Sequence, residues 1–312
     1  MKLVSYKINN RESFGIFTDE GIIDLRSRLN GEVSTLKDLL GVCLASVKKI
    51  AEEAKVDYSL DEISLQPVIP NPGAIYCLGM NTHSHCKEVA DYTGKESLPP
   101  KPYIFMRTAR TQAAHNEALE CPNASPLFDF EGEIAIVIGK FGRHISKENA
   151  LDYIAGYSCY NDGSVRDYQF HSPMFTAGKN FPRTGGFGPW MVTSDEIDSP
   201  ESMKLTTTLN GEVVQQMTYD DLIYSFPEII SYISEFSELH PGDVIVTGSA
   251  AGVGLFRKPQ LWMKDGDICN VEVTGIGTLS NPIVEVQGEN RAPITRTDSE
   301  TVFKESLQYL KH

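Results

Sequence analysis

The stretch FDFEGEIAIVIGK, residues 128–140, sets Asp129, Glu131 and Glu133 on alternate positions and then turns apolar. In an extended strand, residues i and i+2 point the same way, roughly 7 Å apart, so the three carboxylates would share a face. Like charges that close raise one another's pKa unless something compensates. A solvated sheet edge is one answer. The continuation IAIVIG reads instead as a strand buried on both faces. A further acidic stretch, YNDGSVRD at residues 160–167, follows near a second strand end. A hard divalent cation held by three carboxylates would remove the repulsion, and oxygen-only ligands favour Mg²⁺ or Mn²⁺, or Ca²⁺, over Zn²⁺.

Other chemistries find little support. The six cysteines form no C-x-x-C pair and are scattered in spacing, which argues against a zinc ribbon or disulfide scaffold and for free thiols. TGSAAGVG at residues 247–254 is glycine-rich but lacks GK[ST], so it is no phosphate loop. A formal net charge of −14 argues against tracking nucleic-acid phosphates or docking on an anionic membrane. The N-terminus, MKLVSYKINN, turns polar within a few residues, and no run approaches a membrane span. The expectation is a soluble cytoplasmic protein with a small-molecule substrate.

These residues need elements to position them. LVSYKI, SFGIFT and GIIDL read as short strands separated by turns, and residues 35–55 have helical spacing of Leu36, Leu39, Leu40, Val47 and Ile50. The proline-rich SLQPVIPNPG then suggests a linker into a strand opening a second unit. A small N-terminal α+β domain is expected over 1–69 and the main domain over 70–312. PYIFMR, EIAIVIG, PWMVT, KLTTTLN, DVIVTG, DICNVEVTG and GTLSNPIVEV are strand candidates, while DLIYSFPEIISYISEF is helical with Pro227 near its first turn or at a kink. Strands dominate without regular alternation with helices, so the expected class is α+β, mostly β, rather than doubly wound.

Five ordered motifs carry a family resemblance. FDFEGEIAIVIGK, GYSCYNDGSVRDYQ, GKNFPRTGGFGPW, PGDVIVTGSAAGVG and GDICNVEVTGIGTLSNPI resemble the fumarylacetoacetate hydrolase (FAH) family, including its acylpyruvate hydrolase and 2-hydroxyhepta-2,4-diene-1,7-dioate isomerase-like members. The resemblance implies a mixed β-roll of the FAH C-terminal-domain type, a homodimer, and Mg²⁺ or Mn²⁺ held by Glu131, Glu133 and Asp162. It leaves Asp129 outside the ligand set, bonded to backbone or supporting groups. It makes residues 78–90, LGMNTHSHCKEVA, a lid helix whose dyad is His85 and Glu88. An i, i+3 pair shares one helix face, so the carboxylate orients the imidazole. A chance pair on a surface helix, or a zinc pair from His83 and His85, are the alternatives.

The same resemblance makes Lys179 an active-site lysine, and sets Arg166 and Gln169 against the substrate carboxylate or carbonyl. Thr247 keeps the family's threonine, whereas Ser249 and Ala250 depart from its usual TGTP. Arg107 stands where the family usually has lysine and is taken with Thr247 as substrate-binding. His115 and His171 are read as structural or surface residues, and Tyr168, Phe170, Phe175 and residues 83–98 as shaping the pocket. The expected activity is metal-dependent hydrolysis of an acylpyruvate, such as fumarylpyruvate or acetylpyruvate, to pyruvate and a carboxylic acid. Decarboxylation of an oxaloacetate-like acid, or isomerisation or hydration of 2-hydroxydienoates in aromatic catabolism, would use the same metal site.

Overall fold

The computed structural model describes residues 1–29, 33–41, 45–94, 98–286 and 304. An eleven-stranded mixed sheet forms the frame. Its central path runs Lys2–Ile8, Gly185–Thr193, Ile154–Asp162, Gly132–Ile138, Val244–Val246, Ile75–Gly79 and Tyr103–Arg107. A five-stranded sheet, Glu212–Thr218, Lys204–Leu209, Ile268–Val273, Gly277–Glu285 and Leu119–Cys121, packs on one face. The fold is the α+β, strand-rich type expected, with mixed sheets and helices on the flanks.

The strand Gly132–Ile138 is buried along its whole length. Its even positions, Ile134, Ile136 and Ile138, enter a core shared with Leu205, Val271 and Leu279 of the second sheet. Its odd positions, Ala135 and Val137, enter the opposite core with Leu36, Leu39 and Val47 of the N-terminal helices. That two-sided burial is why the strand reads as continuously apolar. Gly132 permits the close approach of the second sheet, since a Cβ there would lie 2.0 Å from Thr207 Oγ1.

The N-terminal strands do not stand apart from this frame. Lys2 and Leu3 pair antiparallel with Val192 and Met191, so residues 2–24 extend the main sheet across the boundary expected near residue 69. The helical spacing over 35–55 resolves into Leu36–Leu40 and Ala45–Glu53, with residues 42–44 outside those described. Pro227 occupies the first turn of the helix Phe226–Phe236, where its missing N–H costs no hydrogen bond, and Ser225 with Glu228 closes a capping box. The strand Glu212–Thr218 was not among the expected elements. It pairs with Lys204–Leu209 through Asn210 and Gly211, both at positive φ, and this Asn-Gly turn was a hairpin signal available in the sequence.

Candidate active site

Strand register gathers the carboxylates. Glu133 lies opposite Tyr160 in the antiparallel pair, and Gly132 opposite Asn161. Asp162 is two residues beyond Tyr160 and Glu131 two before Glu133, so parity puts all three acids on one face. One oxygen from each of Glu131, Glu133 and Asp162 lies within 4.8 Å of the others. Asp129 does not share that face, contrary to the simple strand reading. The ladder breaks at Phe130 and Glu131: Glu131 N–H donates to Asn161 Oδ1 at 3.0 Å instead of to a backbone partner. Asp129 turns to accept from the Gly254 and Leu255 N–H groups at 2.7 and 3.0 Å, and from Arg166 Nε at 2.8 Å.

Three buried cations serve these acids. Lys179 Nζ bridges Glu131 at 2.7 Å and Asp162 at 2.5 Å, and lies 4.8 Å from the centroid of the Phe105 ring. Arg166 Nη1 donates to Glu131 Oε1 at 2.6 Å and to Gln169 Oε1 at 2.8 Å. Arg166 Nη2 is buried without a partner among the described residues, and Arg166 lines the cavity. Arg107 corrects the substrate-binding expectation. Its side chain is fully buried, and it donates to Asp162 Oδ1 at 2.6 Å, the Gly163 carbonyl at 3.0 Å, and the Thr184 and Thr111 hydroxyls. It holds a ligand candidate from behind. Thr247 is likewise turned away: its hydroxyl donates to the Ile134 carbonyl at 3.0 Å.

The charges are unequal in their compensation. Burial works to raise the Glu131 carboxyl, but Arg166 and Lys179 outweigh it and hold it below the ordinary range. Burial of Lys179 disfavours its charge, yet Asp162 and Glu131 keep its pKa above the usual lysine value. Glu133 has no ion pair among the described residues. Its Oε2 accepts from Gly248 N–H at 2.5 Å, and burial, then Asp162 and Glu131, push its pKa well up. Gly248 sits at φ +110, a left-handed region closed to most side chains, and a Cβ there would meet Asn81 at 2.7 Å. Four buried carboxylates thus face three cations, and the surplus falls on Glu133. An all-oxygen donor set with one uncompensated buried charge fits a hard divalent cation.

The helix His83–Thr93 brings in the dyad. Thr82 caps its start by accepting from His85 N–H at 3.3 Å, and Gly94 ends it in the left-handed conformation. His85 Nδ1 lies 3.0 Å from Glu88 Oε2. With Nδ1–H donated to the carboxylate, Nε2 keeps a free lone pair, and the His85 ring lines the cavity. The helix is docked on the body: Glu88 Oε1 accepts from Gly252 N–H at 2.8 Å, Thr82 Oγ1 donates to the Ser249 carbonyl at 2.7 Å, and Ser84 bonds Asp221. His83 is exposed and takes no part, so no zinc pair forms.

His85, Glu131, Glu133, Arg166, Gln169 and Lys179 line one cavity of about 970 Å³. Phe170 and Phe175 join them, as expected for pocket walls, while Tyr168 packs instead on Phe181 with centroids 5.0 Å apart. His115 accepts from Ser280 N–H at 3.0 Å, a structural role. His171, read as structural or surface, reaches the cavity wall with its ring 4.5 Å from Tyr168. Ser249, singled out only as a departure from the family's TGTP, also lines it, as does Phe256, which had no distinguishing signal in its local sequence. Residues 95–97 of the expected lid lie outside the described residues.

Fold and site together define a class: strand-rich α+β proteins whose sheet interior holds a buried carboxylate cluster able to hold a divalent cation, beside a helix that carries a His–Glu pair. Residues 74–284 match the fumarylacetoacetate (FAA) hydrolase C-terminal family, and the chain belongs to that family. It is 34% identical over 303 residues to oxaloacetate tautomerase YisK of Bacillus subtilis, covering 91% of this chain and all of that one. Against the mitochondrial oxaloacetate tautomerase fahd2 of Xenopus laevis it is 32% identical, covering 91% of this chain and 90% of the relative. Among solved structures, the fumarylacetoacetate hydrolase of Exiguobacterium antarcticum aligns with a TM-score of 0.75 at 28% identity, over 92% of this chain and 100% of that one.

Proposed function

We propose that the protein is a divalent-metal-dependent keto–enol tautomerase of 2-oxo acids, with oxaloacetate as the first substrate to test. The observation that carries this is one cavity lined both by an imidazole that Glu88 orients, His85, and by the buried carboxylates Glu131 and Glu133 with Arg166 and Lys179 beside them. The named activity of two relatives at 34% and 32% identity, matched over nearly their whole length, supports the same reading.

Glu131, Glu133 and Asp162 would hold the cation, Mg²⁺ or Mn²⁺. It would supply Lewis-acid polarisation of a keto oxygen and a neighbouring carboxylate. Arg166 Nη2–H donates to the substrate carboxylate, which gives the buried guanidinium its missing partner. His85 Nε2 takes a proton from C3 of the keto form. The C–H electron pair becomes the C2–C3 double bond, and the proton then held on Nε2 is delivered to the former carbonyl oxygen, which gives the enol and restores the neutral imidazole. The reverse sequence ketonises the enol. Glu88 keeps Nδ1 protonated, and so keeps Nε2 basic, throughout.

Acylpyruvate hydrolysis is the second reading. The dyad suits activation of a water, and the Exiguobacterium hydrolase shares the fold at 28% identity. The two part in one experiment. Oxaloacetate enol decay is followed by ultraviolet absorbance with Mg²⁺ or EDTA, while pyruvate and carboxylic acid released from acetylpyruvate are measured in parallel. EDTA-sensitive ketonisation without release of pyruvate or CO₂, reduced by about 10²–10⁴ in His85→Gln, is expected. Stoichiometric pyruvate and acetate from acetylpyruvate, with no acceleration of ketonisation, would replace the tautomerase by the hydrolase. The homodimer belongs to this reading too: Tyr103, Met106, Met174 and Phe236, exposed around the strand Tyr103–Arg107 that ends the large sheet among the described residues, are the apolar surface it would cover.

A further inference from the structure

The cavity is far larger than a four-carbon diacid requires. Its volume of about 970 Å³ is counted with the helix His83–Thr93 docked through Glu88, Thr82 and Ser84. That volume lies near the top of the roughly 300–1,000 Å³ range that accommodates drug-sized ligands. Its lining is of two kinds. His85, Glu131, Glu133, Arg166 and Lys179 are polar or charged. Val89, Pro100, Tyr103, Phe170, Phe175 and Phe256 are apolar or aromatic.

The rings fall into two groups, and one of them lies beside the proton carrier. Phe256 lies 6.0 Å from the His85 ring and 5.1 Å from Tyr92. Phe175 contacts Tyr103 at 5.3 Å, Phe105 at 6.0 Å and Phe170 at 6.2 Å between centroids. Tyr103 spends its hydroxyl on the Pro173 carbonyl at 2.5 Å, so its ring rather than its polar tip serves the wall. Among the described residues, the lining groups other than Arg166 and Lys179 that could pair a second substrate carboxylate are Lys101, His171 and Ser172. Lys101 is exposed and carries its ammonium over Tyr232, which does not line the cavity, at 5.8 Å from the centroid. His171 stands against Tyr168 on the wall. Aromatic surface beside His85 and Lys179 favours an apolar group on the carbon next to the keto carbon.

We propose that the physiological substrate is a 2-oxo acid bearing an aryl or similarly bulky apolar group at C3, rather than a compact diacid. This rests on the proposed function of the same site. The step is the same and needs no co-reactant: the C3–H bond breaks, an O–H bond forms at the former carbonyl, and the aryl group conjugates with the enol double bond. Phenylpyruvate is the probe, with pyruvate as the same head group lacking the ring and oxaloacetate as the diacid.

Dissociation constants are measured by calorimetry on the Mg²⁺-loaded protein, alongside ketonisation rates for phenylpyruvate and oxaloacetate enols. Phenylpyruvate is expected to bind at least tenfold more tightly than pyruvate and to exceed oxaloacetate at least tenfold in kcat/KM. Phe256→Ala should cut the phenylpyruvate-to-pyruvate binding ratio at least fivefold. If oxaloacetate is ketonised but phenylpyruvate binds no better than pyruvate, the substrate class is overturned and the tautomerase stands. If phenylpyruvate binds tenfold better but neither enol turns over, the apolar selectivity stands and the tautomerase falls. A kcat/KM favouring oxaloacetate overturns the proposal and makes Lys101 or His171 the partner of a second carboxylate.

Discussion

At the scale of single residues, the site is a problem in uncompensated charge. Glu133 is the carboxylate left without a cation, so Glu133→Gln removes repulsion from the metal-free protein while deleting a ligand. The expected result is a metal-free melting temperature equal to or above that of the unmodified chain, with its Mn²⁺-induced rise abolished. In the unmodified protein that rise should correspond to about 2.7 kcal/mol at a hundredfold excess of metal over Kd. Differential scanning calorimetry with and without EDTA reads both, and an intact Mn²⁺ shift in the variant would remove Glu133 from the ligand set. Arg107 is the second test. Its fork holds Asp162 Oδ1 and the Gly163 carbonyl together, which a lysine cannot reproduce. Arg107→Lys should stay folded and lose about 10–100-fold in metal affinity, and Arg107→Ala should destabilise by about 3–5 kcal/mol through the exposed buried acid.

At the scale of elements, the site depends on segments that pin one another. The N-terminal strands are tied by Asp24, which accepts from Tyr6 at 2.8 Å, Ser13 at 2.6 Å and the Ser27 N–H at 3.3 Å. Burial works to raise the Asp24 carboxyl, but the hydrogen bonds from Ser13, Tyr6 and Ser27 hold it below the ordinary value. A carboxyl lowered by folding stabilises fully above its unfolded pKa of about 3.9, and the contribution fades as pH falls through the lower folded value. Asp24→Asn should therefore cost about 1–3 kcal/mol at pH 7. Its stability should approach that of the unmodified protein as pH drops below 4, as measured by urea titrations across that window. A difference that persists undiminished at low pH would show that the charge is not what ties these strands.

At the scale of the whole molecule, edges and faces decide assembly. Among the described residues, the strand Tyr103–Arg107 ends the large sheet with one edge unpaired, beside exposed Met106, Met174 and Phe236. If two chains pair over this surface, Met106→Glu places a charge in the buried patch. Sedimentation velocity should then show a two-chain species for the unmodified protein and a single chain for the variant. An unchanged two-chain species would move the interface elsewhere. No helix among the described residues is long and apolar enough to cross a membrane.

Much of this was legible in order along the chain. The alternation of Glu131 with Glu133, the apolar run behind them, and the spacing of His85 to Glu88 are local patterns, because strands repeat every two residues and helices every three to four. What local pattern could not decide is where a side chain goes when the ladder breaks. Asp129 obeys the same alternation as Glu131 yet turns to Gly254 and Leu255, more than a hundred residues away. Arg107 and Thr247 look like ligands for substrate because they sit in matching motifs, but long-range packing points them at Asp162 and Ile134. The hydrogen bonding of Lys2 and Leu3 to Met191 and Val192, which joins the N-terminal strands to the central sheet, has no local signature at all. Residue type and period determine which groups can do chemistry; the register of distant strands decides which of them meet, since buried charge is tolerated only where tertiary contacts supply its partner.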